Sequence, residues 1–131
     1  MKEIFDMMVA LNFDNRNSLH PSNINSMHPA EFAKEFKTIH MNMGRQTGKT
    51  SLMLDLARPT DLIIVPTMAM VDSLYHRSGT CRAQIVTFSS VFRRRFHNVG
   101  YAWVDEPSLY GKDFNFLYSH IDAELFIKLG E

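Results

Sequence analysis

Residues 44–50 read Gly-Arg-Gln-Thr-Gly-Lys-Thr, and this run constrains the fold more than any other part of the sequence. Before it, residues 38–43 alternate between polar and apolar side chains, which is the pattern of a β-strand. After it, residues 51–58 are rich in leucine, methionine and alanine, which favour a helix, and Pro59 ends the segment. A strand that enters a glycine-containing turn and leaves it as a helix is typical of a loop that wraps phosphate groups.

The chemistry of this turn depends on Gly48, Lys49 and Thr50. In such a turn the backbone N–H groups bind the β-phosphate. By the same pattern, Lys49 is predicted to contact the β- and γ-phosphates, and the Thr50 hydroxyl is predicted to hold Mg²⁺. The spacing differs from the usual G-x-x-x-x-G-K-[ST], because the first glycine is Gly44 and position 43 is a methionine. A surface loop that contains Gly-Lys-Thr by chance is the alternative interpretation.

A second motif is the apolar run of residues 101–104, which ends in the carboxylates Asp105 and Glu106. Adjacent carboxylates at the end of an apolar strand are costly to place unless a cation lies nearby. Asp105 is therefore predicted to bind Mg²⁺ through water, and Glu106 to polarise the attacking water as general base. The alternative is an ordinary strand end that runs into a turn at Pro107.

Together the two motifs resemble the additional-strand, catalytic-glutamate class of P-loop ATPases. Residues 45–50 are most similar to the large terminase subunits of tailed phages, whose cradle commonly reads Arg-Gln-x-Gly-Lys-[ST]. Residues 64–67, Ile-Val-Pro-Thr, resemble a strand-end motif of terminases and superfamily 2 helicases. The resemblance covers approximately residues 28–131, and it implies ATP and Mg²⁺ as ligands.

The resemblance also implies roles for individual residues. Arg45 would reach the γ-phosphate and act in catalysis with Lys49 and Glu106, while Gln46 and Thr47 would shape the loop. Thr50 and Asp105 would be the metal ligands. The nucleotide-binding residues implied are Gly44, Arg45, Gln46, Thr47, Gly48, Lys49, Thr50 and Ser51.

The sequence departs from this family in two further ways. The upstream helix lacks the glutamine that often reads adenine, which leaves the base preference open. The predicted strand 125–129 is followed by Gly130 and Glu131, and not by the serine or threonine of the family's coupling motif. Full terminases continue beyond this point, so we expect a single truncated domain over residues 1–131. Residues 1–37 would supply N-terminal helices and an Asn/Ser-rich loop, and residues 38–131 the nucleotide-binding core.

Composition favours one globular domain of 131 residues, with 45% hydrophobic and 21% charged residues. No apolar run approaches the length of a membrane span, and the start of the chain lacks a secretory signal pattern. The single cysteine, Cys81, excludes an internal disulfide and a cysteine-based zinc site. These features predict the cytoplasm, or the host cytoplasm if the chain is viral. Nine methionines and ten phenylalanines are expected in the core, and exposed ones would favour a partner.

The formal net charge is zero, but residues 72–100 carry five arginines against one aspartate. Three of these arginines, Arg93, Arg94 and Arg95, are consecutive, on a short helical segment predicted over residues 91–97. They are interpreted as a contact to DNA or RNA or as an arginine finger that acts in another subunit. A solvated helix face is the alternative of equal weight.

The remaining pattern alternates strands with helices. Strands are predicted over 38–43, 62–65, 83–88, 101–106 and 125–129, and helices over 3–13, from 29, and over 51–58, 68–76, 91–97 and 113–121. Residues 12–26 and 107–112 are predicted as loops. This order predicts a three-layer α/β/α domain with a mostly parallel five-stranded sheet, in which the cradle and the Asp-Glu pair share the carboxyl edge. His40, in the first strand, is interpreted as a satisfied packing residue and not as a ligand.

Three functions follow as hypotheses. The first is ATP hydrolysis with Mg²⁺ in a homo-oligomer or with nucleic acid, because one small lobe cannot translocate a polymer alone. The second is a small nucleoside kinase, although the single cysteine disfavours the zinc-containing type. The third is a domain that binds nucleotide as a support or switch and does not hydrolyse it.

Overall fold

A computed structural model describes residues 2–19, 27–41, 48–78 and 83–130. Within this part of the chain five strands form one sheet, and every strand pair is parallel. The strands are β1 (Thr38–Met41), β2 (Leu62–Val65), β3 (Gln84–Thr87), β4 (Phe96–Asp105) and β5 (Ile121–Leu129). Their order across the sheet is β1-β5-β4-β2-β3.

The first two helices precede β1, and the others connect consecutive strands. They are α1 (Lys2–Asn17), α2 (Pro29–Phe36), α3 (Lys49–Leu56), α4 (Met68–Ser78), α5 (Phe88–Val91), the 3-10 stretch η1 (Pro107–Phe114) and α6 (Asn115–His120). Among the described helices, none has the length and apolarity needed to cross a bilayer. The start of α2 agrees with the sequence, because Pro29 lies at its N-terminus and the His28 side chain accepts a hydrogen bond from the Ala30 amide.

Both faces of the sheet are apolar and covered by helices. On what we call the front face, strand residues such as Ile64 and Val104 pack with α2, α5, η1 and α6. On the back face, Ile63 and Trp103 pack with α1, α3 and α4. Because alternate strand residues point to opposite faces, a central strand buried on both faces must be apolar throughout, as β2 is. The α/β class and the parallel sheet are thus confirmed, and the arrangement is compatible with three layers.

The sequence pattern predicted that the arginine triplet lies on a helix, and this prediction is wrong. The helix before it is α5, which begins with a cap from the Thr87 side chain and ends at Val91. Arg93 lies in a turn, and Arg94 and Arg95 lie in the irregular link into β4. Because the Thr87 hydroxyl accepts from the Ser90 amide, the helix starts three residues earlier than predicted and ends before the triplet.

Helix α1 is longer than predicted, because residues 12–17 are helical and not part of a loop. The Arg16 guanidinium lies 3.9 Å from the centre of the Phe13 ring and donates a hydrogen bond to the Glu124 carbonyl at 3.0 Å. The hydrogen bond to Glu124 is a tertiary contact, and together with the local contact to Phe13 it offsets the weak helix propensity of the asparagines in this segment.

The last two strands also start earlier than predicted. β5 begins at Ile121, which the sequence assigned to a helix, and β4 begins at Phe96 instead of Tyr101. The predicted loop after Glu106 is helical instead, with a break at Gly111, where φ is +54°. Tyr110 and Phe114 of this stretch are buried in the front-face core, so apolar burial orders it.

Candidate functional site

The carboxyl ends of three strands lie in one row. Met41 of β1 pairs with Leu129 of β5, and Leu129 pairs with Asp105 of β4. The ladder continues past the strands, because the Gly130 amide donates to the Met41 carbonyl and the Glu106 amide donates to the Leu129 carbonyl, each at 3.0 Å. The end of β1, where the chain enters residues 42–47, is therefore held in a fixed relation to the Asp-Glu pair.

Asp105 is buried, with 3% of its surface exposed. It follows Trp103 by two positions, and Trp103 belongs to the back-face core, so the alternation of the strand places Asp105 on the back face. The Tyr110 hydroxyl donates to the Asp105 carbonyl oxygen at 3.2 Å. Burial, and then the nearby Asp105 charge, raise the pKa of Tyr110, which keeps its phenol protonated as a donor.

Glu106 turns the chain away from the sheet in an uncommon backbone conformation. Its φ is 50° and its ψ is 61°, which is the left-handed region. A residue with a Cβ atom pays a steric cost there, of about 1–2 kcal/mol. The Glu106 carbonyl accepts from the Leu109 amide at 3.1 Å, so the following 3-10 turn holds this conformation. Strain of this kind clusters at functional sites, which motivates a role for Glu106.

Helix α3 lies in the connection between β1 and β2. Because these strands are parallel, the chain must return from the carboxyl to the amino edge between them. Leu52 and Met53 attach α3 to the back-face core, and the segment after it reaches the amino half of β4, where the Gly100 amide donates to the Thr60 carbonyl. The first turn of α3 therefore lies towards the carboxyl edge, on the face that Asp105 shares.

The predicted cradle residues are described only in part. Gly44, Arg45, Gln46 and Thr47 lie outside the described residues. Gly48 is exposed and directly precedes α3, and Lys49 is its first helical residue. In the first turn, Thr50 is half-buried and Ser51 is exposed. The donor types of Thr50 and Asp105, one hydroxyl and one carboxylate, fit Mg²⁺, which usually takes few protein ligands together with phosphate and water. Among the described side chains, no group of three or more His, Cys, Asp or Glu could hold a metal.

The arginine triplet is not brought to this site. Arg95 precedes the first residue of β4, whereas Asp105 is its last. Ten residues of strand separate the two ends by about 30 Å. An action of these arginines on a nucleotide in the same chain is therefore excluded by distance, while contacts to another molecule stay open.

A cavity of about 510 Å³ on the front face was missed by the sequence analysis. Its lining includes Lys34, His40 and Lys128. His40 was predicted to be a satisfied packing residue. Its Nε2 donates to the Gly130 carbonyl at 2.7 Å, so it is hydrogen-bonded, but its side chain is exposed and does not belong to the core. Burial, and then the charge of Lys34, lower the pKa of Lys128. The alternation of polar and apolar residues in β1 was the sequence signal that could have indicated this cavity. The cavity lies on the face of the sheet opposite Asp105.

Comparison of the chain with protein-family models, with curated proteins and with solved structures gave no match in any of the three. The functional assignment therefore depends on the residues and on their geometry.

Proposed function

We propose that the chain binds ATP with Mg²⁺ at the carboxyl edge of the sheet and hydrolyses it, as a P-loop NTPase domain. The observation that carries the proposal is the row Met41–Leu129–Asp105, which puts a buried carboxylate two strands away from the end of β1. Residues 42–47 are outside the described part of the chain; after them come Gly48 and α3, which packs on the face that Asp105 shares. The Gly-Lys-Thr run and the Asp-Glu pair therefore converge on one edge.

The strand order gives further support. β5 is an extra strand between the strand that leads into the cradle and the strand that ends in Asp105. An extra strand is the feature after which the resembled class of ATPases is named. Binding at the carboxyl edge of a parallel sheet is also the general rule for α/β proteins.

Each residue has a defined role in this proposal. The amides before Lys49, and its ammonium group, bind the phosphates, with Arg45 on the γ-phosphate. Thr50 and Asp105 would hold Mg²⁺, which neutralises phosphate charge when bound. Glu106 orients a water molecule and accepts its proton. Glu106 follows the last residue of β4 in a left-handed backbone conformation, so the regular alternation of the strand ends at Asp105.

One observation favours the non-hydrolysing alternative. β5 ends in Leu129 and Gly130, so neither serine nor threonine stands at the end of the strand beside Asp105. A chain without this coupling residue could bind nucleotide and use it as a structural support or switch. We also propose an oligomer or a nucleic-acid partner, and either of these could supply the group that this coupling residue would provide.

Nucleotide binding tests the site. Titration calorimetry with ATP and Mg²⁺ should show binding to the wild-type chain and at least about tenfold weaker binding to Lys49→Ala, a loss of ~1.4 kcal/mol or more. Lys2→Ala, at an exposed lysine on α1, is the control and should bind as the wild type does. No binding by the folded wild-type chain, or equal affinity in Lys49→Ala, would contradict the site.

Turnover separates hydrolysis from binding alone. The wild-type chain should release phosphate from ATP, and Glu106→Gln should keep its affinity while it loses turnover. Binding without turnover in the wild type would select the switch. Phosphate transfer to a deoxynucleoside would select the kinase. Light scattering with and without ATP and Mg²⁺ would show whether an oligomer forms.

A further inference from the structure

Two exposed phenylalanines from distant parts of the chain lie side by side on the front face. The Phe92 and Phe116 rings have centres 5.1 Å apart and planes tilted by 59°, and their side chains are 42% and 46% exposed. The His120 ring lies 6.4 Å from Phe92 and 6.1 Å from Phe116. We call Phe92, Phe116 and His120 the aromatic platform.

The platform is backed by the core. The buried Phe88 ring meets Phe92 edge-on at 5.1 Å, and Phe88 stacks on the buried Tyr110 ring at 4.0 Å. On the other side, the Nδ1 atom of His120 donates to the Phe116 carbonyl at 3.0 Å. Because these neighbours already restrict the rings, the protein loses little side-chain entropy when a flat ligand stacks on them.

Positive charge adjoins the platform. Arg93, Arg94 and Arg95 directly follow Phe92 and are all exposed. Among the described residues none of the three forms a salt bridge, and Arg94 stacks on the Phe96 ring at 4.3 Å. Three neighbouring cations that form no salt bridge with a described acid favour a polyanion as the partner.

A groove continues from the platform along the amino edge of the sheet. It is a cavity of about 560 Å³, and His120 belongs both to its wall and to the platform. Its polar lining is mainly basic or imidazole, with one acid, and includes His28, Lys37, Arg95, His97, His120 and Asp122. Aromatic rings at one end and cations along the rest are the two elements of single-strand nucleic-acid sites.

We propose that the platform and this groove bind a single-stranded nucleic acid. Unpaired bases stack on Phe92 and Phe116, and the phosphates contact the arginine triplet and Lys37. A duplex is disfavoured because its bases are already stacked on one another and cannot offer a free face to the rings. The site lies at the end of β4 opposite Asp105, so this binding requires neither nucleotide nor hydrolysis.

Fluorescence anisotropy without nucleotide tests the proposal, with labelled strands about twelve nucleotides long, a length within the usual range of single-strand sites. DNA and RNA single strands and a duplex of the same length are compared. The wild-type chain should prefer a single strand to the duplex. The double variant Phe92→Leu/Phe116→Leu keeps apolar bulk without the rings and should bind single strands about five- to a hundredfold more weakly.

The arginine contribution is tested by replacing Arg93, Arg94 and Arg95 with alanine. Affinity should fall, and the slope of log K against log salt should decrease by about 2, for three lost phosphate contacts on a single strand. The control removes the same charge elsewhere, from the exposed Lys2, Arg77 and Lys112. It should weaken binding much less.

Several results would overturn the proposal. They are absence of binding at low salt by a folded wild-type chain, equal affinity for single strands and duplex, wild-type affinity in the leucine variant, and equal losses in the two charge variants. A change of oligomeric mass in the leucine variant, with no nucleic-acid binding by the wild type, would instead assign the platform to a protein interface. Lys49→Ala should bind single strands as the wild type does, so failure of the nucleotide site is distinguishable from failure here.

Discussion

Asp105 and Met41 lie in one row at the carboxyl edge of the sheet, although β5 separates their strands. Both pair with Leu129, and two strand spacings place them about 9–10 Å apart. The hydrogen bonds from the Gly130 and Glu106 amides extend this pairing by one residue on each side. A loop that leaves β1 at Met41 therefore starts within a few residues' reach of the Asp105 carboxylate.

Replacement of Asp105 by asparagine should remove the Mg²⁺ dependence of ATP binding. The amide keeps the size of the side chain but loses the charge that attracts the cation. We expect ATP affinity in the presence of Mg²⁺ to fall at least about tenfold, ~1.4 kcal/mol, with a smaller change when EDTA is present. Calorimetry at both conditions measures this. Asp113→Asn, at an exposed aspartate of η1, is the control, and an unchanged Mg²⁺ effect in Asp105→Asn would remove Asp105 from the metal site.

The left-handed backbone at Glu106 predicts that glycine is more stabilising than alanine at this position, the reverse of the usual order. Because φ is 50°, Glu106→Gly should unfold at higher denaturant than Glu106→Ala, by about 1 kcal/mol in the free energy of unfolding. At Ser73, an exposed position within α4, the order should reverse, since glycine in a helix is about 1 kcal/mol less favourable than alanine. Urea denaturation measures both pairs. If alanine proved more stable than glycine at both positions, the left-handed conformation of Glu106 would be wrong.

Asp61 is a buried acceptor at the amino edge of the sheet, and its loss should be costly. Its carboxylate accepts from the amides of Arg58 and Tyr101 at 2.9 and 2.8 Å and from the Trp103 indole at 3.1 Å. The Arg58 guanidinium also contacts it at 3.1 Å, and only 3% of Asp61 is exposed. Asp61→Ala leaves these donors without their acceptor, so we expect a loss of about 3–5 kcal/mol in the free energy of unfolding.

The fluorescence of the single tryptophan is a suitable probe for this unfolding, because Trp103 contacts Asp61 directly. Asp55→Ala, at an exposed aspartate of α3, is the control and should change stability by less than about 0.5 kcal/mol. Comparable stability of the two variants would show that the Asp61 hydrogen bonds contribute little.

Alkaline pH should destabilise the fold through two buried tyrosines. Burial is the first cause that raises the pKa of Tyr110 and of Tyr118. Above about pH 10 the unfolded chain loses these protons while the folded chain retains them, so the free energy of unfolding falls as pH rises. The slope is at most about 1.4 kcal/mol per pH unit for each tyrosine. Lys128, whose pKa is lowered by burial, acts in the opposite direction just below its ordinary pKa.

Urea denaturation between pH 9 and 11 measures this slope. Tyr110→Phe and Tyr118→Phe should each reduce it, and the double variant should reduce it most. At pH 7 the same variants report only the lost hydrogen bonds, from Tyr110 to the Asp105 carbonyl and between Tyr118 and Thr38, which provides the reference. A slope that is identical in the wild type and the double variant would contradict the role of these phenols.

Local sequence was sufficient to predict the bounds of those elements whose side chains are in one environment, buried or capped, along the predicted segment. β2 was predicted to the residue, because Leu-Ile-Ile-Val is buried on both faces, and the start of α2 follows from His28 and Pro29. The sequence also indicated Asp105 and Glu106 as candidate site residues, because two carboxylates at the end of an apolar strand are energetically costly unless a cation lies nearby. The start of β5 was missed, although residues 121–125 already alternate between apolar and polar side chains, as a strand with one exposed face does.

Tertiary structure alone decided the relations between distant residues. The insertion of β5 between β1 and β4, and with it the row from Met41 to Asp105, follows from strand pairing that no local pattern encodes. The platform of Phe92 and Phe116 likewise forms because both flank the buried front-face core. Local sterics and propensity act over a few residues, whereas pairing and burial join residues far apart in the chain, so local elements and candidate residues could be predicted from sequence and their relative positions could not.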